Sequence, residues 1–125
     1  MRQMFQAFLV LFGVVVIGIS LAHLAIGSDT IIGGSVANPT SDGEDRFFAG
    51  IFLCFGIAVI WCARDVERKR RPVTLLAAAM FVGGIGRLFS VLLAGAPHPF
   101  YMAMLVVELG LPPLIALAAK MVEAH

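Results

Sequence analysis

The sequence predicts an all-α integral membrane protein, a four-helix bundle with up-down topology, and three observations predict it. Of its 125 residues, 60% are hydrophobic and 14% charged, with mean hydropathy +0.97; a soluble domain this short needs more polar surface. Four apolar segments approach the length, about twenty residues, that a helix needs to cross a hydrocarbon core about 30 Å thick. The charges gather between those segments. They leave room for one domain, residues 1–125, with spans at about 4–26, 46–63, 73–94 and 100–119.

The first span, "MFQAFLVLFGVVVIGISLAHLAIG", has an apolar run longer than a secretion signal uses and no small-x-small cleavage site behind it, so it reads as an uncleaved helix. The second, Arg46–Ala63, is shorter and opens on a charge. "GSDTIIGGSVANPTSDGED" precedes it as a loop, long enough for a short surface helix or ribbon. Its "NPT" has proline in the middle and is no glycosylation acceptor. The third span, Val73–Ala94, follows "RDVERKRRP"; five residues, "GAPHP", separate it from the fourth, Phe100–Ala119.

Basic residues set the orientation. Arg64, Arg68, Lys69, Arg70 and Arg71 crowd the second loop, which the positive-inside rule keeps cytoplasmic. With four spans both termini then lie on the cytoplasmic side, and the first loop, with Asp29, Asp42, Glu44 and Asp45, faces out. The basic run is read as a topology signal rather than a nucleic-acid surface; lipid headgroups are its other candidate partner. Trp61, near the inner end of the second span, suits an interfacial anchor.

Small and polar residues mark a candidate inner stripe on each span: Gln6, Gly13, Ser20 and His23; then Arg46, Gly50, Cys54, Ala58 and Cys62; then Ala79, Gly83, Arg87 and Ser90, with Gly86 beside them; then Tyr101, Glu108, Pro112 and Ile115. Small residues let helix backbones approach closely in lipid. On one helix Cys54 and Cys62 would lie ~12 Å apart, too far for a disulfide between them. Their spacing suits no metal, and they read as packing residues.

Two charges fall well inside the spans. Arg87 lies ~10 Å from the outer end of the third helix, and Glu108 ~12 Å from that of the fourth. A five-residue connection makes these helices antiparallel neighbours, so the two groups share a depth and a buried ion pair is expected. An arginine at a helix centre costs ~2.5–3.5 kcal/mol; opposite charges 4 Å apart recover ~4 kcal/mol at an effective dielectric near 20. Snorkelling of Arg87 toward the outer surface is the competing account. Pro112 and Pro113 have no N–H for the carbonyls of Glu108 and Leu109, which predicts a helix interruption beside the acid. Such interruptions line transporter sites, though more often they only bend a bundle. His23 ends the first span near the same layer, either as an interfacial hydrogen-bonder or as a titrating neighbour of the pair. Arg46, at the outer mouth, should meet Asp29, Glu44, Asp45 or lipid phosphate.

The segments "EDRFFAGIFLCFGIAVIWCARD", "GGIGRLFSVLLAGAP" and "VVELGLPP" resemble the bacterial membrane family catalogued as domain of unknown function 4345. Arg46, Gly50, Gly84, Arg87, Ser90 and Glu108 match its pattern: an arginine followed by small residues opening helix two, Gly-x-x-Arg in helix three, glutamate in helix four. The resemblance implies four-pass architecture and no established activity. The layout is also distantly similar to the eukaryotic endoplasmic-reticulum scaffold of ergosterol synthesis, whose third helix lacks the arginine.

Two function classes stay open. One is a non-enzymatic scaffold or accessory subunit that packs against another membrane protein or a second copy. The other is a binder or carrier of a small anion or lipid headgroup, with Arg87, Glu108, Ser90, His23, Arg46 and Tyr101 as candidate ligand-binding residues. An enzyme is disfavoured. The chain lacks the Cys-x-x-Cys pairs of quinone-linked disulfide formers, the first-helix glutamate of small multidrug exporters, a P-loop and a nucleophile elbow. No metal, cofactor or nucleic acid is called for.

Overall fold

The computed structural model describes residues 2–27, 31 and 38–123. Among these the chain forms four helices and no strand: α1 (Arg2–Ile26), α2 (Pro39–Ala63), α3 (Arg70–Ala94) and α4 (Pro99–Glu123). Each contains a stretch long and apolar enough to cross a membrane. They fall into two compact units, one built on α1 and α2, the other on α3 and α4.

In the first unit the helices run antiparallel, since contacts pair Gln6 with Ala63, Gly13 with Gly56 and His23 with Asp45. The predicted α1 stripe holds. Gly13 and Ser20 are buried with Phe5, Leu9 and Val16, and Gln6 donates its side-chain N–H to the Ala63 carbonyl at 3.0 Å. The α2 stripe does not hold. Cys54 is exposed, and a Cβ on Gly50 would meet nothing within 4 Å. The buried positions are Ala49, Gly56, Val59, Cys62 and Ala63. A strict four-residue repeat rotates about 40° per step on a helix of 3.6 residues per turn, so it spirals off any single face; spacings of three and four stay on it.

Helix α2 begins at Pro39, seven residues before the predicted start. The reason is local. Asn38 takes the N-cap, accepting the Ser41 N–H at 2.9 Å, the Ser41 hydroxyl accepts the Asn38 N–H at 3.4 Å, and Pro39 needs no donor at the first helical position. The acidic residues at 42, 44 and 45 therefore belong to the polar first two turns of α2 rather than to a loop, with Asp42 in the first. Asp29 lies outside the described residues.

In the second unit α3 returns as α4 after four residues, and the two helices pack together. The inward face of α4 repeats every three and four residues through Tyr101, Leu105, Glu108, Pro112, Ile115, Ala119 and Val122, all buried or half-buried. The fourth-span stripe was therefore read correctly. The expected interruption is corrected: α4 runs unbroken through Pro112 and Pro113. The prolines still leave the Glu108 and Leu109 carbonyls without their helical donors, a loss tolerated in membrane helices where neighbouring groups re-satisfy the backbone.

Candidate functional site

The α3–α4 unit carries the two charges the sequence singled out. Along α3 the packed face is Val73, Ala77, Met80, Gly84, Arg87 and Val91. Gly84 is its point of closest approach: a Cβ there would sit 3.0 Å from the Glu108 Cβ and from Leu109 Cδ2. One turn further on, Arg87 Nε donates to Glu108 Oε2 at 2.9 Å. This explains the Gly-x-x-Arg spacing physically. The glycine admits the backbone that carries the acid, and the arginine one turn away meets its carboxylate.

The guanidinium also lies over the Tyr101 ring, 5.8 Å from its centroid, within cation–π reach. It is thus held between an acid and an aromatic face. The expectation of burial needs correction. Side-chain exposure is 32% for Arg87 and 15% for Glu108, so the pair is half-buried, because α3 and α4 wall it on one side only. Ser90 is exposed. It belongs, with Ala79, Gly83 and Gly86, to a stripe displaced by one residue, or about 100°, from the packed face.

His23 and Arg46 sit in the α1–α2 unit with other partners. His23 Nδ1 lies 2.9 and 3.1 Å from the two Asp45 carboxylate oxygens, and an ionised Asp45 requires the proton on Nδ1. Arg46 meets neither Glu44 nor Asp45. Its Nε donates to Asp42 Oδ2 at 2.8 Å, and its Nη1 to the Leu24 carbonyl at 2.6 Å and, more weakly, to the Ala25 carbonyl at 3.5 Å. These carbonyls belong to the last turn of α1, where a cation suits the negative end of the helix dipole. Arg46 is therefore a cap that α2 supplies to α1.

The cap closes over Gly27, whose φ of +82° ends α1 in the left-handed region. A Cβ there would collide with Asp42 Oδ1 and lie 2.7 Å from Arg46 Nη2. Gly27→Ala is accordingly expected to cost about 1–3 kcal/mol from backbone conformation alone, and to displace the Arg46 cap. A lowered midpoint in reversible detergent unfolding checks it; an unchanged midpoint would remove the cap's importance. Sequence reading missed Gly27, gave Asp42 no partner, and offered Asp45 to Arg46 rather than to His23. The signals available were the glycine after a helical segment and the i,i+4 spacing of Asp42 and Arg46.

Among the described residues no cluster of three or more His, Cys, Asp or Glu side chains is arranged to hold a metal ion. The family model described as domain of unknown function (DUF4345) matches residues 4–119. The chain belongs to this family. The match spans all four helices, including the Gly84, Arg87 and Glu108 positions. No curated protein and no solved structure gives a significant match, so the distant likeness to the ergosterol-synthesis scaffold gains no support.

Proposed function

We propose that this DUF4345 chain is a four-span bundle of the bacterial inner membrane, with both termini inside, that works as a non-enzymatic scaffold or accessory subunit by packing against another membrane helix. The basic residues at 64–71 support the orientation. One observation carries the packing role. Ala79, Gly83, Gly86 and Ser90 form an exposed stripe along α3, and a Cβ on either glycine would meet nothing within 4 Å. In lipid, apolar surface gives helices no hydrophobic drive to associate; close backbone approach over small residues supplies it. Here such a surface is turned away from α4, beside the glycine, Gly84, that packs against it.

The test follows from that contrast. Gly83→Leu with Gly86→Leu should leave the helical hairpin intact and abolish association, read as loss of a crosslink between purified copies or to a co-purified subunit in mild detergent. Gly84→Leu should instead disrupt the hairpin, because its side chain would enter Glu108 and Leu109. If the protein is monomeric and partner-free before any substitution, the scaffold reading fails.

A second reading, binding of a small anion or lipid headgroup at Arg87, is favoured by one feature. Nε alone of the guanidinium is committed to Glu108, and the side chain is half-exposed. Tyr101 supports this reading by its place beside the guanidinium. His23 and Arg46 are already engaged by Asp45, Asp42 and the α1 carbonyls, and do not serve it.

A further inference from the structure

At the basic end of the α1–α2 unit, Ile17, Ile57, Ile60, Trp61 and Arg64 line a groove of about 230 Å³. Ile57, Ile60 and Trp61 of α2 and Arg64, its C-cap, follow one another at spacings of three, one and three, which keeps them on one helix face. The wall is apolar up to its rim, where an indole and a guanidinium sit together. Trp61 is half-exposed and Arg64 is exposed. Ile57 lies ~10 Å along the helix from Arg64, so the groove runs from the level of the basic turn into the apolar span.

The neighbouring charges matter. Asp65 is paired with Arg68 and Glu67 with Arg2, and Arg70 donates to the Glu67 carbonyl. Arg64 has no side-chain ion pair or hydrogen bond among the described residues, and the acids beside it in sequence are engaged elsewhere. It is a cation held at the mouth of an apolar channel. Tryptophan favours the headgroup level, and a guanidinium binds a phosphate oxygen pair in a fork.

We propose that this groove binds one anionic phospholipid from the leaflet on the basic side, its phosphate on Arg64, its glycerol region beside Trp61 and one acyl chain along Ile57, Ile60 and Ile17. The assignment is independent of the α3 stripe and of the Arg87 pair, and each can fail without the other. It rests on charge complementarity with a phosphodiester together with the depth of the apolar wall. A zwitterionic lipid would bring an ammonium group to the same cation, and it gains less.

The experiment uses the full chain in nanodiscs of phosphatidylglycerol and phosphatidylcholine in equal parts, with native mass spectrometry of the lipid retained on release. The wild type should retain phosphatidylglycerol in preference to phosphatidylcholine. Arg64→Gln should lower that preference about fivefold, the contribution of one basic residue near an anionic surface. Arg71→Gln removes the same charge from the first turn of α3, from a residue that does not line the groove, and should leave the preference intact. Ile57→Trp fills the groove from an exposed position, and it should lose retained lipid of both classes while keeping its helical circular dichroism. Equal losses from Arg64→Gln and Arg71→Gln would reduce the effect to diffuse charge and overturn the site. So would equal retention of both lipids by the wild type, or undiminished retention by a folded Ile57→Trp.

Discussion

Arg87→Met made alone should destabilise the protein more than Arg87→Met and Glu108→Gln made together. The expectation rests on what each substitution leaves behind. Glu108 is 15% exposed on its side chain and accepts from Arg87 Nε at 2.9 Å. Without the guanidinium, a carboxylate remains against apolar helix faces, where an unpaired charge is expensive. Replacing both groups removes both penalties, and a well-packed apolar pair often serves as well as the ion pair it replaces. The half-exposure of Arg87 tempers the effect, so the coupling should be about 1–3 kcal/mol, within the range found for residues in direct contact. It is measured as the non-additive part of a double-mutant cycle on reversible unfolding in detergent or bicelles. Additive losses would mean that each charge finds separate relief and that the 2.9 Å contact contributes nothing.

Glu108→Gln made alone should be milder than Arg87→Met. Gln presents a neutral carbonyl to the same Nε, and the Tyr101 face at 5.8 Å still receives the cation. The acid and the ring together hold the guanidinium, so removing one leaves the other. A larger loss from the glutamate than from the arginine would place the critical penalty on Arg87 instead.

The pair was legible in the sequence because depth along a helix is simple to count. Seven residues from one end of a span and eight from the matching end of its neighbour bring two charges to one level, whatever the rest of the chain does. The α4 face was legible for a related reason: Tyr101, Glu108, Pro112 and Ile115 follow the three-and-four rhythm of a packed helix. The stripes of α2 and α3 were misread where small residues were allowed to stand for buried ones. Gly83 and Gly84 are neighbours of identical type, yet one faces open space and the other Glu108. Only the partner backbone distinguishes them. The start of α2 was missed because hydropathy was given precedence over capping. Asn38, Pro39 and Ser41 mark a helix N-terminus outside the apolar stretch, and the acids that follow then become a clasp for α1. Arg46 was expected to face outward acids or lipid; helix-end carbonyls, which have no signature in side-chain sequence, took it instead.

Gly56→Leu is expected to separate α1 from α2, whereas Gly50→Leu, six residues away on the same helix, should be nearly silent. A Cβ on Gly56 would lie 3.0 Å from the Ile17 and Val16 side chains and 3.1 Å from the Gly13 carbonyl oxygen. The relation is reciprocal: a Cβ on Gly13 would lie 2.5 Å from Ile60 Cγ1 and 3.0 Å from the Gly56 carbonyl oxygen. Each glycine leaves the space that the other's backbone uses, and so the two helices cross there at close range. A side chain finds room by rotating Ile17 or Ile60, but a carbonyl in a helix cannot move without breaking the helix. Even Ala at Gly56 should cost about 1–3 kcal/mol, the usual penalty for overpacking, and Leu should exceed it by forcing the backbones apart. At Gly50 nothing lies within 4 Å, so the substitution adds a good helix former to an open face and gains about 0.5–1 kcal/mol of helix propensity. Spin labels on the exposed faces of α1 and α2, read by distance measurement in nanodiscs, should report a wider separation for Gly56→Leu only. Equal distances in both variants would show that the helices are held together by their clasp at His23, Asp45 and Arg46 rather than by the glycine crossing.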